Sequence, residues 1–109
     1  MPMDITQLRK LVALDEDDPL SRFALGQALF QEGDRPESLK EAAEHLLFAN
    51  AKAPAHLATY HVLGQVLIEL GRKDEARTIL QAGSKKAAGV GEGMGQDLGP
   101  AMDEMLRTL

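Results

Sequence analysis

The fold is decided by the sequence LATYHVLGQVLIELGRKDEARTILQAGSKK at residues 57–86. Its apolar residues recur at steps of three and four, which is the spacing of one buried helix face. On the first half of the stretch, this face is predicted to comprise Leu63, Val66, Leu67 and Leu70. Gly71 follows directly, and glycine readily takes the left-handed conformation that ends a helix. The pattern therefore predicts two helices, at about residues 55–70 and 74–88, joined by a short turn.

A second copy of this pattern lies upstream. Gly26 and Gly64 are 38 residues apart, whereas Leu46 and Leu80 are 34 apart. Both offsets fit one 34-residue repeat if the first copy carries four additional residues. We place them in the segment 35–38, because a turn tolerates extra length at little entropic cost.

The two copies share further residues in the same register. In the first copy these are Arg22-x-x-Leu25-Gly26-x-x-Leu29, Ala42-x-x-x-Leu46 and Pro54, and in the second Tyr60-x-x-Leu63-Gly64-x-x-Leu67 and Ala76-x-x-x-Leu80. This pattern resembles the tetratricopeptide repeat family, whose signature is W-x-x-L-G-x-x-Y followed by A-x-x-x-F and P. The departures are that Arg22 replaces the first aromatic residue, leucine replaces the later ones, and Ala88 stands where the closing proline would be.

The resemblance implies an all-α fold, a right-handed solenoid of helical hairpins with about six helices in a single domain of residues 1–109. Two repeats are fewer than the three that usually bury a continuous core, so flanking helices are expected to cover them. We expect a half-repeat helix at 4–14, the first repeat at 19–54, the second repeat at 55–88, a glycine-rich hinge at 89–99 and a capping helix at 100–109.

Two helix starts carry clear capping signals. Asp4 is a predicted N-cap, and Gln7 three residues later completes a capping box. Asp18 is a predicted N-cap for the next helix, and Pro19 fits the first helical position, where its missing N–H is not needed.

Two other starts are ambiguous. Asp34 and Ser38 each begin a capping-box pattern, so the third helix can begin at either place. The last helix is expected from Pro100, with a start near Gly95 as the alternative. Five glycines between residues 89 and 99 favour a loop there, because each costs a helix about 1 kcal/mol relative to alanine.

Composition and charge exclude several functional classes. The net charge is −5, and the mildly basic stretch 57–90 has only five basic against three acidic side chains, which argues against nucleic-acid binding. No segment has the length and hydropathy to span a membrane, and the N-terminus lacks a secretory signal pattern. Cysteine is absent, which suits a reducing compartment, so we expect a cytoplasmic location.

The resemblance also implies a concave groove lined by the first helix of each repeat. The predicted partner-binding residues are Leu20, Phe23, Gln27, Phe30 and Gln31 in the first repeat and Ala58, His61, Gln65, Ile68 and Glu69 in the second. Amides at the centre of such a groove can pair with a peptide backbone, and phenylalanine can anchor an apolar side chain. The alternative is that Phe23 and Phe30 pack against residues 4–14. With no lysine or arginine at these positions, clamping of acidic chaperone tails, known in this family, is disfavoured.

No pattern indicates catalysis, a metal or a cofactor. His56 and His61 are five residues apart, not the four that place two ligands on one helix face. The acidic run 15–18 lacks the spaced ligands and central glycine of a calcium loop. Gly91-x-Gly93 follows a predicted helix instead of a strand, so a dinucleotide site is not indicated.

The sequence therefore predicts a non-catalytic module that binds a peptide or a segment of another protein in the groove. The alternative is a self-associating scaffold or assembly subunit, a homo-oligomer that pairs through the groove or through the methionine-rich C-terminal helix. The sequence does not name the partner.

Overall fold

The computed structural model describes residues 3–33, 35–90 and 94–109, of which 94–96 are described as backbone only. Within these residues every regular element is an α-helix, and there are six. The helices are α1 (Ile5–Leu14), α2 (Pro19–Gln31), α3 (Pro36–Lys52), α4 (Leu57–Glu69), α5 (Lys73–Val90) and α6 (Met94–Arg107). The prediction of an all-α fold with about six helices is confirmed.

The chain forms two compact units, Met1–Pro54 and Ala55–Leu109. In the first, α2 packs against both α1 and α3. Its buried apolar side chains are Leu8 and Val12 on α1, Leu25 and Leu29 on α2, and Leu39, Ala42, Ala43, Leu46 and Ala49 on α3. These positions repeat at three- and four-residue steps, so each helix has one apolar face turned towards its neighbours.

The second unit consists of α4, α5 and α6, with each helix in contact with the other two. Its core contains Leu57, Tyr60, Leu80, Ala87 and Met102. Leu98, Met105, Leu106 and Leu109 of the C-terminal segment pack against this core. The methionine-bearing face of α6 is therefore occupied within its own unit.

A glycine–leucine contact recurs in the two units. A Cβ placed on Gly26 of α2 would lie 2.7 Å from Leu46 Cγ of α3, and one on Gly64 of α4 would lie 2.8 Å from Leu80 Cγ of α5. Real Cβ atoms do not approach other carbons so closely, so only glycine fits at these helix crossings. Each hairpin is thus closed by the pair of residues that defines the sequence repeat.

The predicted helix ends are largely observed. Asp4 and Gln7 form the reciprocal capping box of α1, and the Asp18 side chain accepts a hydrogen bond from the Leu20 N–H of α2. Gly71 has a φ of 77°, and the N–H of the next residue, Arg72, donates to the Leu67 carbonyl at 2.9 Å, which is the bond of a Schellman motif.

The N-cap of α3 is neither of the two predicted residues. Arg35 is the N-cap, with no side-chain cap bond, and Pro36 is the first helical residue. Ser38 is buried inside the first turn, so it does not cap the helix; Asp34, the other predicted cap, lies outside the described residues. The segment 35–38, predicted as a turn insertion, instead mostly forms helix: α3 begins six residues before Ala42, whereas α5 begins three residues before the equivalent Ala76.

The hinge predicted at 89–99 is wrong in its extent. α5 continues to Val90, and α6 already begins at Met94 and runs through Pro100. Residues 91–93 lie outside the described residues. Gly99 is buried, and a Cβ on it would lie 3.2 Å from the Ala87 Cβ. Close packing of α6 on α5 needs small residues at this crossing, and the burial it gains outweighs the low helix propensity of glycine.

Candidate interaction surfaces

All ten residues predicted to bind a partner lie on α2 or α4, and none of them is fully buried. On α2, the side chains of Leu20 and Gln31 are exposed, and those of Phe23, Gln27 and Phe30 are half-buried. Their spacing of three and four residues places them along one stripe of the helix. The two phenylalanines are therefore neither sealed in the core of the first unit nor fully open to water.

A shallow depression of about 280 Å³ lies between α1 and α2. It is lined by Met3, Leu8, Ala24, Gln27, Ala28 and Gln31. Two of the predicted residues, Gln27 and Gln31, thus come together beside Leu8 of α1 and Met3, which precedes α1. The sequence analysis missed the other four, although Ala24 and Ala28 are one turn apart on the same side of α2, a spacing that could have indicated them.

The predicted residues of α4 differ from one another in burial. Ala58, His61 and Gln65 are half-buried, Glu69 is exposed, and Ile68 packs against the core of the second unit. Desolvation lowers the pKa of His61 below its ordinary value of 6.5. Neutral imidazole is therefore favoured at neutral pH, and this face of α4 presents a polar but uncharged ring.

A chain of polar contacts ties the three helices of the first unit together. Arg9 of α1 forms a two-bond ion pair with Glu41 of α3, including Nη2 to Oε1 at 2.9 Å. His45 Nε2 lies 3.3 Å from Glu41 Oε2, and Arg22 Nη1 lies 3.3 Å from His45 Nδ1. Because arginine can only donate, Nδ1 accepts and the Nε2–H donates to Glu41. The Arg9 ion pair, followed by the His45 contact, holds the pKa of Glu41 below its ordinary value of 4.5.

In the first unit, Arg22 occupies the position that the first aromatic residue holds in the repeat signature. Its guanidinium carbon lies 4.2 Å from the centre of the Phe48 ring on α3. Its Nε also donates to the Glu16 carbonyl at 2.9 Å, so the side chain joins the α1–α2 turn to α3. The planar guanidinium stacks on the aromatic face in a cation–π contact, which takes over part of the packing role of an aromatic side chain.

No group of three or more metal-ligating side chains occurs within the described ranges. Of the histidines, His45 is bonded to Arg22 and Glu41, and His56 Nδ1 lies 2.7 Å from Thr59 Oγ1. In the part of the chain that the structure describes, no helix has both the length and the apolar character needed to cross a membrane.

Comparison with known proteins gives one family. A scan against protein-family models matches residues 5–83 to the family described as anaphase-promoting complex, cyclosome, subunit 3. No curated protein matches the chain, and no solved structure matches it. The matched region begins with α1 and ends within α5, so it includes the first helical hairpin and most of the second. The chain therefore belongs to this family, which is built from tetratricopeptide-type repeats and is of a class that mediates protein–protein interactions.

Proposed function

We propose that the protein is a non-catalytic interaction module that holds a segment of a partner protein against the face of α2. The observation that carries this proposal is the depression lined by the amide side chains of Gln27 and Gln31 together with four apolar residues. The equivalent face of α4 is proposed as a second, separately testable contact surface.

The lining of the depression indicates what kind of segment it fits. Met3, Leu8, Ala24 and Ala28 offer only apolar atoms from their side chains, so an apolar side chain of the partner gains free energy by entering. Each glutamine amide can both donate to and accept from a peptide backbone. Among the residues that the structure describes, no charged side chain lines the depression. A neutral, extended segment with one apolar anchor is therefore the proposed ligand.

The face of α4 suits a similar ligand. Gln65 again provides an amide, and His61 is held in its neutral form by desolvation. Glu69 is the one acidic side chain among the ten proposed residues, and it lies at the end of α4. A strongly acidic ligand is therefore not the proposed partner of this face.

The proposal is tested by selecting binding peptides from a random displayed library and measuring their affinity for variants. Ala24→Leu fills the depression with a good helix former and is expected to abolish binding while helicity is retained. Gln27→Ala and Gln31→Ala are expected to weaken binding about tenfold each, as for the loss of one or two hydrogen bonds. Gln81→Ala, an exposed glutamine on α5, is the matched control. Peptides that bind all variants equally would refute a site on α2.

A further inference from the structure

α1 forms one wall of the depression beside α2. Leu8 of α1, and Met3, which precedes α1, line the depression together with residues of α2. Leu8 is also buried, so the side chain that faces the depression belongs to the packing between the two helices. The shape of the depression therefore depends on where α1 lies relative to α2.

Apolar burial alone attaches α1 weakly. Of its ten residues only Leu8 and Val12 are buried, and Ile5 and Leu11 are half-buried. Among the described helices, α2 is the one against which α1 packs closely. A helix of this length is marginal by itself in water, so its attachment depends on its remaining contacts.

Two arginines connect the region of α1 to one pair of side chains on α3. Arg9 of α1 forms its two-bond ion pair with Glu41. Arg22 joins the carbonyl of Glu16, in the turn that follows α1, to Nδ1 of His45. Glu41 and His45 are four residues apart, so they share one face of α3. Polar contacts with α3 thus hold α1 at its middle and just beyond its end.

Arg9 contacts a different helix from its neighbour Leu8. Successive side chains on a helix point about 100° apart, so Leu8 faces α2 while Arg9 reaches α3. Arg9 is exposed to solvent, and Glu32 at the end of α2 adds an electrostatic attraction to it. Arg9 can therefore be changed without changing any side chain that lines the depression.

We infer that Arg9 and Glu41 are positioning residues for the peptide site, and that their ion pair holds α1 in place as a movable wall of the depression. The inference rests on the proposed function and adds that the site is complete only while α1 is docked. When the wall opens, Gln27 and Gln31 stay on α2, but Met3 and Leu8 no longer face the ligand. The affinity for a peptide is then reduced in proportion to the fraction of molecules with α1 docked.

The first test needs no peptide. Amide hydrogen exchange in α1 of the full chain reports how often this helix opens. Arg9→Met removes the charge at nearly equal helix propensity and is expected to speed this exchange about threefold to fivefold, as for the loss of an exposed ion pair. Arg72→Met, which removes the two-bond ion pair with Glu75 in the second unit, is the matched control and is expected to leave exchange in α1 unchanged. Unchanged exchange in Arg9→Met would overturn the inference.

The second test is the affinity for selected peptides whose binding Ala24→Leu abolishes. Arg9→Met and Glu41→Gln are each expected to weaken binding about threefold to fivefold, and Arg72→Met is expected to bind like the wild type. Circular dichroism checks that each variant is folded at the temperature used. A contribution of Arg9 to global stability alone would leave the affinity of the folded protein unchanged.

Arg9→Lys tests whether the charge holds the wall. Lysine keeps the charge but lacks the planar fork that forms two bonds with a carboxylate, so binding within about twofold of the wild type is expected. Binding as weak as that of Arg9→Met would overturn the inference, because the lysine charge should restore much of the attraction to Glu41.

Failure of the positioning role is distinguishable from failure of the peptide site. Selected peptides that are sensitive to Ala24→Leu but bind Arg9→Met and Glu41→Gln as tightly as the wild type would refute the positioning role alone. If no selected peptide is sensitive to Ala24→Leu, the site on α2 is refuted, and the positioning role is refuted with it.

Discussion

Leu80 of α5 lies directly over Gly64 of α4, and Leu46 of α3 lies over Gly26 of α2 in the same way. All four residues are buried. The absence of a side chain on the first helix of each hairpin gives room to a leucine on the second. This contact explains why the offset between the two glycines differs from the offset between the two leucines. Both copies have the glycine and the leucine that meet, although the number of residues between them differs.

Gly64→Ala is expected to destabilise the protein. The added methyl group would overlap Leu80 Cγ at 2.8 Å, and Leu80 has no solvent-accessible space into which it can turn. We expect a loss of about 1–3 kcal/mol in the free energy of unfolding, measured by urea titration. The control is Gly89→Ala, which lies within α5 with nothing within 4 Å of the new atom. It is expected to stabilise by up to about 1 kcal/mol, because alanine favours helix more than glycine. Equal effects of the two substitutions would contradict the packing account.

The double variant Gly64→Ala/Leu80→Ala tests whether the two residues act on each other. Leu80→Ala alone is expected to cost about 2–5 kcal/mol, because it leaves a cavity in a fully buried position. The alanine at 64 fills part of that space, so the double variant should lose less than the sum of the two single variants. The measurement is a double-mutant cycle from urea denaturation. Additive losses would show that the contact is not the source of the Gly64→Ala effect.

Acid is expected to weaken the first unit through Glu41. The pKa of this carboxylate is lowered in the folded state, so its stabilising contribution is fully present above its ordinary value of 4.5 and is lost as the pH falls through the folded-state pKa. Glu41→Gln should therefore cost stability at pH 7, by about 1 kcal/mol, and progressively less as the pH falls below 4.5. Urea titrations of both proteins at several pH values give the comparison. A difference that stays constant with pH would rule out the ion pair with Arg9 as its cause.

His61 is expected to add a second pH dependence at a higher pH. Its folded-state pKa is lowered by desolvation, so the folded state binds the proton less readily than the unfolded state does. Stability is then unaffected well above the ordinary value of 6.5 and decreases as the pH falls through and below that value. His61→Gln should remove this part of the decrease while retaining a polar side chain. If the two proteins lose stability in parallel between pH 7.5 and 5.5, His61 is not responsible.

The sequence predicted those features that depend on residues close together in the chain. The capping box of Asp4 and Gln7, Pro19 at the start of α2 and the stop at Gly71 are local, and each is observed. The start of α6 could not be decided in this way between Pro100 and the alternative near Gly95, and it is observed at Met94. It depends on Met102 and Gly99 packing against Gly83 and Ala87, which lie between 12 and 19 residues earlier in the chain. Local propensity favoured a loop at these glycines, and tertiary packing gave helix.

The candidate site was predicted only in part for the same reason. The resemblance to the repeat family implied Gln27 and Gln31 as groove residues, and helical periodicity places both on one stripe of α2. Met3 and Leu8 line the same depression because α1 packs across α2, and no periodicity within α2 indicates a contribution from another helix. The contact of Arg22 with Phe48 is a further case. From the sequence alone, an arginine at the aromatic position of the signature indicates lost packing, because its partner on α3 is known only from the structure.

The central claim, that a partner segment binds on the α2 face beside Gln27 and Gln31, is tested most directly by nuclear magnetic resonance. The ¹⁵N-labelled protein is titrated with a peptide selected for binding, and the side-chain amide signals of the glutamines are followed. The account predicts that the signals of Gln27 and Gln31 shift together and saturate with the same affinity, while that of Gln81 on α5 does not move. Saturable shifts confined to α3 or α5, with Gln27 and Gln31 unchanged, would contradict it.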